Sequence, residues 1–148
     1  MAKILKSLQT CLLYVKALIQ CLMNRVPVTA RVLCDGVEVF NGKYYSIAFG
    51  VGQYSGGGMR QTAGAVMDDG YLDMTLIPEL GALKIAKEAP KLFTGSFTKI
   101  KELVVSRSKS IVVIPEGGHP YVEVDGEVIG TAPVCMEIMG SQINVLKL

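Results

Sequence analysis

Two short acidic turns contain the residues of this sequence with the clearest capacity for chemistry. In one of them, Asp125 and Gly126 separate two alternating runs and are followed at once by Glu127. Asp-Gly between alternating runs is typical of a tight β-hairpin, so Glu127 should be held by the strand that it begins. A carboxylate held in this way can act as a general base, but many hairpin glutamates are simply solvated. The residues alone leave both interpretations open.

The other acidic turn lies at 66–71, where Asp68 and Asp69 precede Gly70. Carboxylates and free main-chain carbonyls are the oxygen ligands that Mg²⁺ takes in proteins. The same residues also form ordinary Asp-Gly turns without a ligand. The pattern therefore allows a hard-cation site and does not require one.

A glycine-dense loop at 50–58 ends in the triplet Gly56, Gly57 and Gly58 and indicates a close backbone approach. It has neither the spacing nor the following helix of a nucleotide-binding fingerprint, so it is a weak signal alone. The single histidine, His119, lies in a Gly-Gly-His-Pro turn, and no Gly-x-Ser-x-Gly elbow is present. Nucleophilic catalysis is therefore poorly supported.

Length and composition narrow the class of protein. The 148 residues favour one compact domain, and a net charge of +2 is too small for a nucleic-acid partner. Half of the residues are hydrophobic, which is enough to build a core. The sequence has four cysteines that lie far apart: Cys11, Cys21, Cys34 and Cys135. We therefore expect reduced thiols in the core and a cytoplasmic protein.

The first 25 residues have leucine, valine and isoleucine at spacings of three and four, which predicts an amphipathic helix over 1–25. Lysines and glutamines interrupt this stretch, so neither a membrane-spanning helix nor a signal peptide fits it. We expect its apolar face to pack on a sheet or a neighbouring domain. Lys3, Lys6 and Lys16 leave contact with a lipid surface open.

The rest of the chain, 26–148, has the pattern of a β-rich domain. Asp35-Gly36 predicts a hairpin and Asn41-Gly42 a second turn, while a helix is expected over 79–89. The fold class is mostly β with flanking helices, as an antiparallel sandwich or barrel. Further strands are predicted at 71–78, 103–105, 110–114, 121–124, 127–129, 134–138 and 143–146.

Three motifs in a fixed order resemble the C-terminal domain of the bacterial diacylglycerol kinase-like lipid kinases, a family that includes sphingosine and ceramide kinases. They are the glycine triplet 56–58, the stretch Met67-Asp68-Asp69-Gly70-Tyr71-Leu72-Asp73, and Val124-Asp125-Gly126-Glu127. The resemblance implies the antiparallel β-sandwich-like second domain of the diacylglycerol kinase and NAD kinase-like fold. The family's nucleotide-binding motif, Gly-Gly-Asp-Gly-Thr, is absent from this sequence. We therefore expect a fragment that lacks the nucleotide-binding domain and is inactive alone.

The resemblance also assigns roles to residues. Glu127 would be the base that takes the proton of a lipid hydroxyl. Asp69, with the main-chain carbonyls of Val66 and Tyr71, would hold a structural Mg²⁺, near Asp68 and Asp73. The triplet of Gly56, Gly57 and Gly58 would line the cleft beside ATP and lipid, with ATP bound mainly by the missing domain.

The partners implied are a lipid alcohol and the missing nucleotide-binding domain. A homodimer and contact with the inner face of the membrane are left open. Two other hypotheses stand beside the kinase: a non-catalytic β-domain that binds lipid or a partner kinase subunit, and a relative of NAD kinase.

Overall fold

The structure is a computed structural model that describes residues 26–140, together with Leu13, Lys16 and Gln20. These three isolated positions are helical. The rest of the helix predicted over 1–25, and the strand predicted at 143–146, lie outside the described residues. Within the described part of the chain, no helix is long and apolar enough to cross a bilayer.

Six antiparallel strands form the main sheet in the order β4-β3-β2-β1-β5-β8, and β6 and β7 form a separate two-stranded hairpin. Every pairing in the described residues is antiparallel, as the predicted fold class requires. The strands are β1 (Val28–Cys34), β2 (Val37–Gly50), β3 (Leu72–Pro78), β4 (Val104–Ser108), β5 (Ser110–Pro115), β6 (Tyr121–Val124), β7 (Glu127–Thr131) and β8 (Val134–Glu137).

The hairpin predicted at Asp35-Gly36 joins β1 to β2, and both residues have the positive φ that this turn needs, 49° and 79°. The Asp35 carboxylate also accepts hydrogen bonds of 2.9 Å from the main-chain amides of Lys109 and Ser110. The turn is therefore tied to the start of β5, which pairs with the other side of β1.

The prediction of a second turn at Asn41-Gly42 is wrong. β2 continues through both residues, and they pair with Arg31 and Ala30 of β1. The neighbouring strand β1 supplies ladder hydrogen bonds to this segment, and these outweigh the local preference for a turn. The continuous β2 carries the chain as far as the glycine loop.

The centre of the main sheet is fully buried at Val32, Met74, Leu76 and Ile111, each 0% exposed. The prediction of a buried thiol is confirmed at Cys34, but it is wrong at Cys135, which is exposed. β8 is the edge strand of the sheet, and alternate residues along it face outwards.

The helix predicted over 79–89 is confirmed in its main part as α1 (Ala82–Glu88), and a short α2 (Lys91–Thr94) follows it. Pro90 separates the two because its ring and its missing N–H stop α1 from continuing. The segment after α2 packs into a second apolar cluster with Leu92, Phe97, Ile100 and Leu103.

Candidate functional site

Within the described residues lies a largely apolar cavity of about 1470 Å³. Its walls come from β2, the two helices and the β6–β7 hairpin, so elements far apart in the sequence meet around it. A cavity of this size can take a drug-sized or lipid-sized ligand. The lining includes Tyr44, Ile47, Ala48, Phe49, Ile85, Ala89, Leu92, Val122, Val124 and Val128.

Several hydroxyl side chains line the cavity, and two of the buried ones are Thr75 and Tyr44. Thr75 is 2% exposed, and its Oγ1 has no hydrogen-bond partner among the described residues. Burial raises the pKa of the Tyr44 phenol above its usual 10.0, so this side chain stays neutral near pH 7. The cavity therefore presents these neutral hydrogen-bonding groups beside apolar side chains, and its lining also includes the charged residues Lys84, Glu88, Glu123, Asp125 and Glu137.

The β6–β7 hairpin places the predicted base at its turn. Asp125 and Gly126 both have positive φ, 51° and 89°, and Glu127 is the first residue of β7, opposite Val124. Glu127 is exposed, and it is not among the residues that line the cavity, although Asp125, Gly126 and Val128 are. Glu127 therefore lies beside the cavity rather than in its lining.

The glycine triplet forms one turn of 3-10 helix, and Gly57 and Gly58 have φ of 72° and 79°. All three glycines are exposed, and Gly56 lines the same cavity as the hairpin turn. A Cβ at Gly56 or Gly58 would meet no atom within 4 Å, so close packing inside this chain does not explain these glycines. Positive φ explains two of them.

The acidic turn at 66–71 is organised by an arginine that the sequence analysis missed. Arg107 lies 3.2 Å from Asp69 and 3.3 Å from Asp73, and it donates a 2.7 Å hydrogen bond to the carbonyl of Gly64. Asp73 is almost fully buried, at 6% exposed, and is paired with Arg107 in the β3–β4 register. One guanidinium thus neutralises two carboxylates and fixes the loop to the sheet.

The oxygen atoms at this turn are of the types that bind a hard cation. Asp69 offers a carboxylate, and Val66 and Tyr71 offer main-chain carbonyls. Oδ1 of Asp69 accepts the Tyr71 amide at 3.0 Å, while Oδ2 has no hydrogen bond and faces Arg107. Among the described residues no three acidic, histidine or cysteine side chains cluster as metal ligands. A cation here would depend on main-chain oxygens and would share Asp69 with Arg107.

The structure brings together only part of the predicted site. Gly56 and the Asp125-Gly126 turn meet at the cavity, whereas Val66, Asp69 and Tyr71 are not among its lining residues. Thr75 and Arg107 were missed. The one signal for Arg107 was a basic residue two positions after the apolar run at 103–105, and no local signal marked Thr75.

Comparisons with known proteins agree with this architecture. The domain family described as "YegS C-terminal NAD kinase beta sandwich-like domain" matches residues 2–147. A curated Mycobacterium tuberculosis protein named "Diacylglycerol kinase" is 26% identical over 121 residues. That match covers 82% of this chain and 38% of the relative, so the chain spans well under half of the relative's length. A Stenotrophomonas maltophilia protein named "Probable lipid kinase YegS-like" is also 26% identical, over 80% of this chain and 38% of the relative.

Among solved structures, a diacylglycerol kinase from Bacillus anthracis superposes with a TM-score of 0.68 and 20% identity. The superposition covers 85% of this chain and 43% of that one. At this identity the likeness concerns the fold, and it confirms the predicted fold class.

Proposed function

We propose that this chain, which belongs to the family of YegS C-terminal NAD kinase beta sandwich-like domains, forms the lipid-binding side of a kinase that transfers phosphate from ATP to a lipid hydroxyl. Family membership confirms the resemblance drawn from the sequence motifs. The observation that carries the proposal is the large apolar cavity with the Asp-Gly-Glu hairpin turn at its wall. A lipid needs an apolar volume for its chains and a reactive group beside that volume for its hydroxyl.

The cavity supplies the first requirement. Removing apolar chains from water is worth about 0.8 kcal/mol per buried methylene, so about ten buried methylenes would contribute roughly 8 kcal/mol, which is the scale of micromolar binding. Thr75 and Tyr44 would hydrogen-bond to an ester or hydroxyl oxygen that enters with the chain, and Thr75 would gain the partner that its Oγ1 lacks.

Glu127 supplies the second requirement. In the proposed reaction its carboxylate accepts the proton of the lipid hydroxyl as that oxygen bonds to the γ-phosphorus of ATP. The bond between the γ-phosphorus and the bridging oxygen breaks, and ADP leaves. Phosphoryl transfer asks mainly for positioning and charge neutralisation, so one modest base is sufficient on this side of the reaction. The exposed position of Glu127 suits a base that meets a nucleotide held by another domain.

The turn at Asp69 would hold a Mg²⁺ through one carboxylate oxygen and the carbonyls of Val66 and Tyr71. A cation there would supply positive charge that steadies the loop joining the glycine triplet to β3. Arg107 of β4 pairs with Asp69 of this loop and with Asp73 of β3, so these contacts would fix the start of β3, which borders β2 at the cavity.

Lipid binding can be tested on the 148-residue chain with a diacylglycerol that carries a pyrene-labelled acyl chain. Ala48 and Thr75 are paired across β2 and β3 and both line the cavity, so Ala48→Phe places a ring in the proposed lipid volume. We expect the fluorescence titration to show binding about tenfold weaker than in the unsubstituted chain.

The matched control is Ala86→Phe, since Ala86 is exposed on α1 and does not line the cavity. It should bind the labelled lipid as the unsubstituted chain does. Equal binding by a folded Ala48→Phe protein would show that the lipid does not use this cavity. A chain that binds NAD and no lipid would favour the NAD kinase hypothesis.

A further inference from the structure

A second, smaller pocket borders the same two segments as the lipid cavity, 60–64 and 94–99, but has its own set of lining residues. It has a volume of about 380 Å³, and its walls are the Arg60–Gly64 loop and the segment from Thr94 to Lys99. Arg60 and Lys99 are the two charged side chains among its lining residues, and both are cationic. The remaining polar lining consists of the hydroxyls of Thr94, Ser96 and Thr98.

Arg60 is held in place by neutral groups. Its Nη2 donates to the side-chain oxygen of Gln53, its guanidinium lies 5.4 Å from the centre of the Tyr54 ring, and its main-chain amide donates to Leu92 at 2.8 Å. A Cβ added at Gly95 would lie 2.7 Å from Nη1, so the glycine leaves the space that the guanidinium occupies. The side chain is therefore positioned before any ligand arrives.

The charge of Arg60 has no counter-ion within the described part of the chain. None of the ion pairs formed there includes Arg60 or Lys99, and the buried Nε of Arg60 makes no hydrogen bond. The Asp73 carboxylate lies near Gly64, where an added Cβ would be 3.5 Å from its Oδ1, and it is already paired with Arg107. A half-buried, ordered guanidinium without a carboxylate costs free energy that a bound anion would recover.

We propose that this pocket binds an oxyanion of the phosphate class, either inorganic phosphate or the phosphate of an acidic phospholipid headgroup. A guanidinium presents several N–H groups in a fixed plane that match phosphate oxygens, and the Lys99 ammonium adds a second charge from an exposed position. Thr94 and Thr98 now bond to the carbonyls of Lys91 and Gly95 at 3.1 and 3.4 Å, and their hydroxyls can rotate towards an anion. The site is separate from the proposed transfer reaction, which uses none of these residues.

The test is an NMR titration of the 148-residue chain with inorganic phosphate, following the amides of Gly95, Ser96 and Thr98. The pocket is open, so we expect saturable shifts with a dissociation constant of about 1 mM. Arg60→Gln should weaken binding by at least about tenfold and Lys99→Gln by about threefold. Lys101→Gln removes the same charge from an exposed residue outside the pocket and should leave binding unchanged.

The source of the phosphate is decided by co-sedimentation with phosphatidylcholine vesicles, with and without phosphatidic acid. Binding that needs phosphatidic acid and falls in Lys99→Gln identifies a headgroup site, whereas phosphate binding without vesicle binding identifies a site for free phosphate. If Arg60→Gln does not fold, binding is compared between Lys99→Gln and the unsubstituted chain, because the Lys99 side chain is exposed and its substitution should not disturb the fold. Absence of saturable shifts, or equal weakening by Lys99→Gln and Lys101→Gln, would overturn the proposal.

Discussion

Glu127→Gln is expected to lower kcat by at least about 100-fold in a hybrid kinase, in which this chain replaces the matching region of the Mycobacterium tuberculosis diacylglycerol kinase. A lipid alcohol is a weak nucleophile at neutral pH, and a positioned carboxylate that takes its proton contributes about 10² to 10⁴ in rate. Glutamine keeps the shape of the side chain and removes the basic oxygen. Initial rates of phosphate transfer from labelled ATP to diacylglycerol measure the loss, and KM for ATP should change little.

The matched control for this substitution is Glu79→Gln. Glu79 is an exposed glutamate that follows β3 and is not among the residues that line the cavity. It should retain most of the activity, since no proton transfer is assigned to it. If both variants turned over at nearly the unsubstituted rate with an intact fold, Glu127 would be an ordinary hairpin glutamate.

Arg107→Ala is expected to lower the free energy of unfolding by about 2 kcal/mol, because it leaves the buried Asp73 and the neighbouring Asp69 without their shared cation. The cost stays below that of a fully buried pair, since the arginine side chain is 42% exposed. Urea unfolding of the 148-residue chain, followed by circular dichroism, measures it.

Magnesium gives the same experiment a second readout. If Asp69 is a ligand, added Mg²⁺ should replace part of the missing positive charge and restore stability more in Arg107→Ala than in the unsubstituted chain. Arg31→Ala is the matched control, because the ion pairs of Arg31 with Glu38 and Glu116 among the described residues are exposed, with N–O distances of 4.0 and 3.7 Å. It should lose no more than about 1 kcal/mol and gain nothing specific from Mg²⁺. An equal response of both variants to Mg²⁺ would contradict the assignment of Asp69.

The residue types at the turns predicted those hairpins whose conformation depends mainly on the turn residues themselves. Asp35-Gly36 and Asp125-Gly126 adopt the positive φ that aspartate and glycine tolerate, and each pair joins two paired strands. Asn41-Gly42 carries the same local signal and lies inside a strand, because β1 offers it a complete ladder. The difference depends on which strand lies alongside, and this is a property of the whole sheet.

The residues of the candidate site also differ in whether a local sequence pattern could reveal them. Glu127 and Asp69 lie in motifs that are contiguous in the sequence, so a resemblance could assign roles to them. Arg107 acts on residues 34 to 43 positions earlier, through a strand pairing that no local pattern specifies. The cavity depends on how the sheet, the helices and the hairpin are placed around Thr75, and its volume cannot be inferred before those elements are in position.

The measurement that tests the kinase proposal most directly is phosphate transfer by the unsubstituted hybrid, with the 148-residue chain alone as the control. We expect the hybrid to form labelled phosphatidic acid from diacylglycerol and γ-labelled ATP, and the chain alone to form none. A folded hybrid that binds ATP and the labelled lipid but transfers no phosphate to diacylglycerol or to a sphingoid base would contradict the proposal.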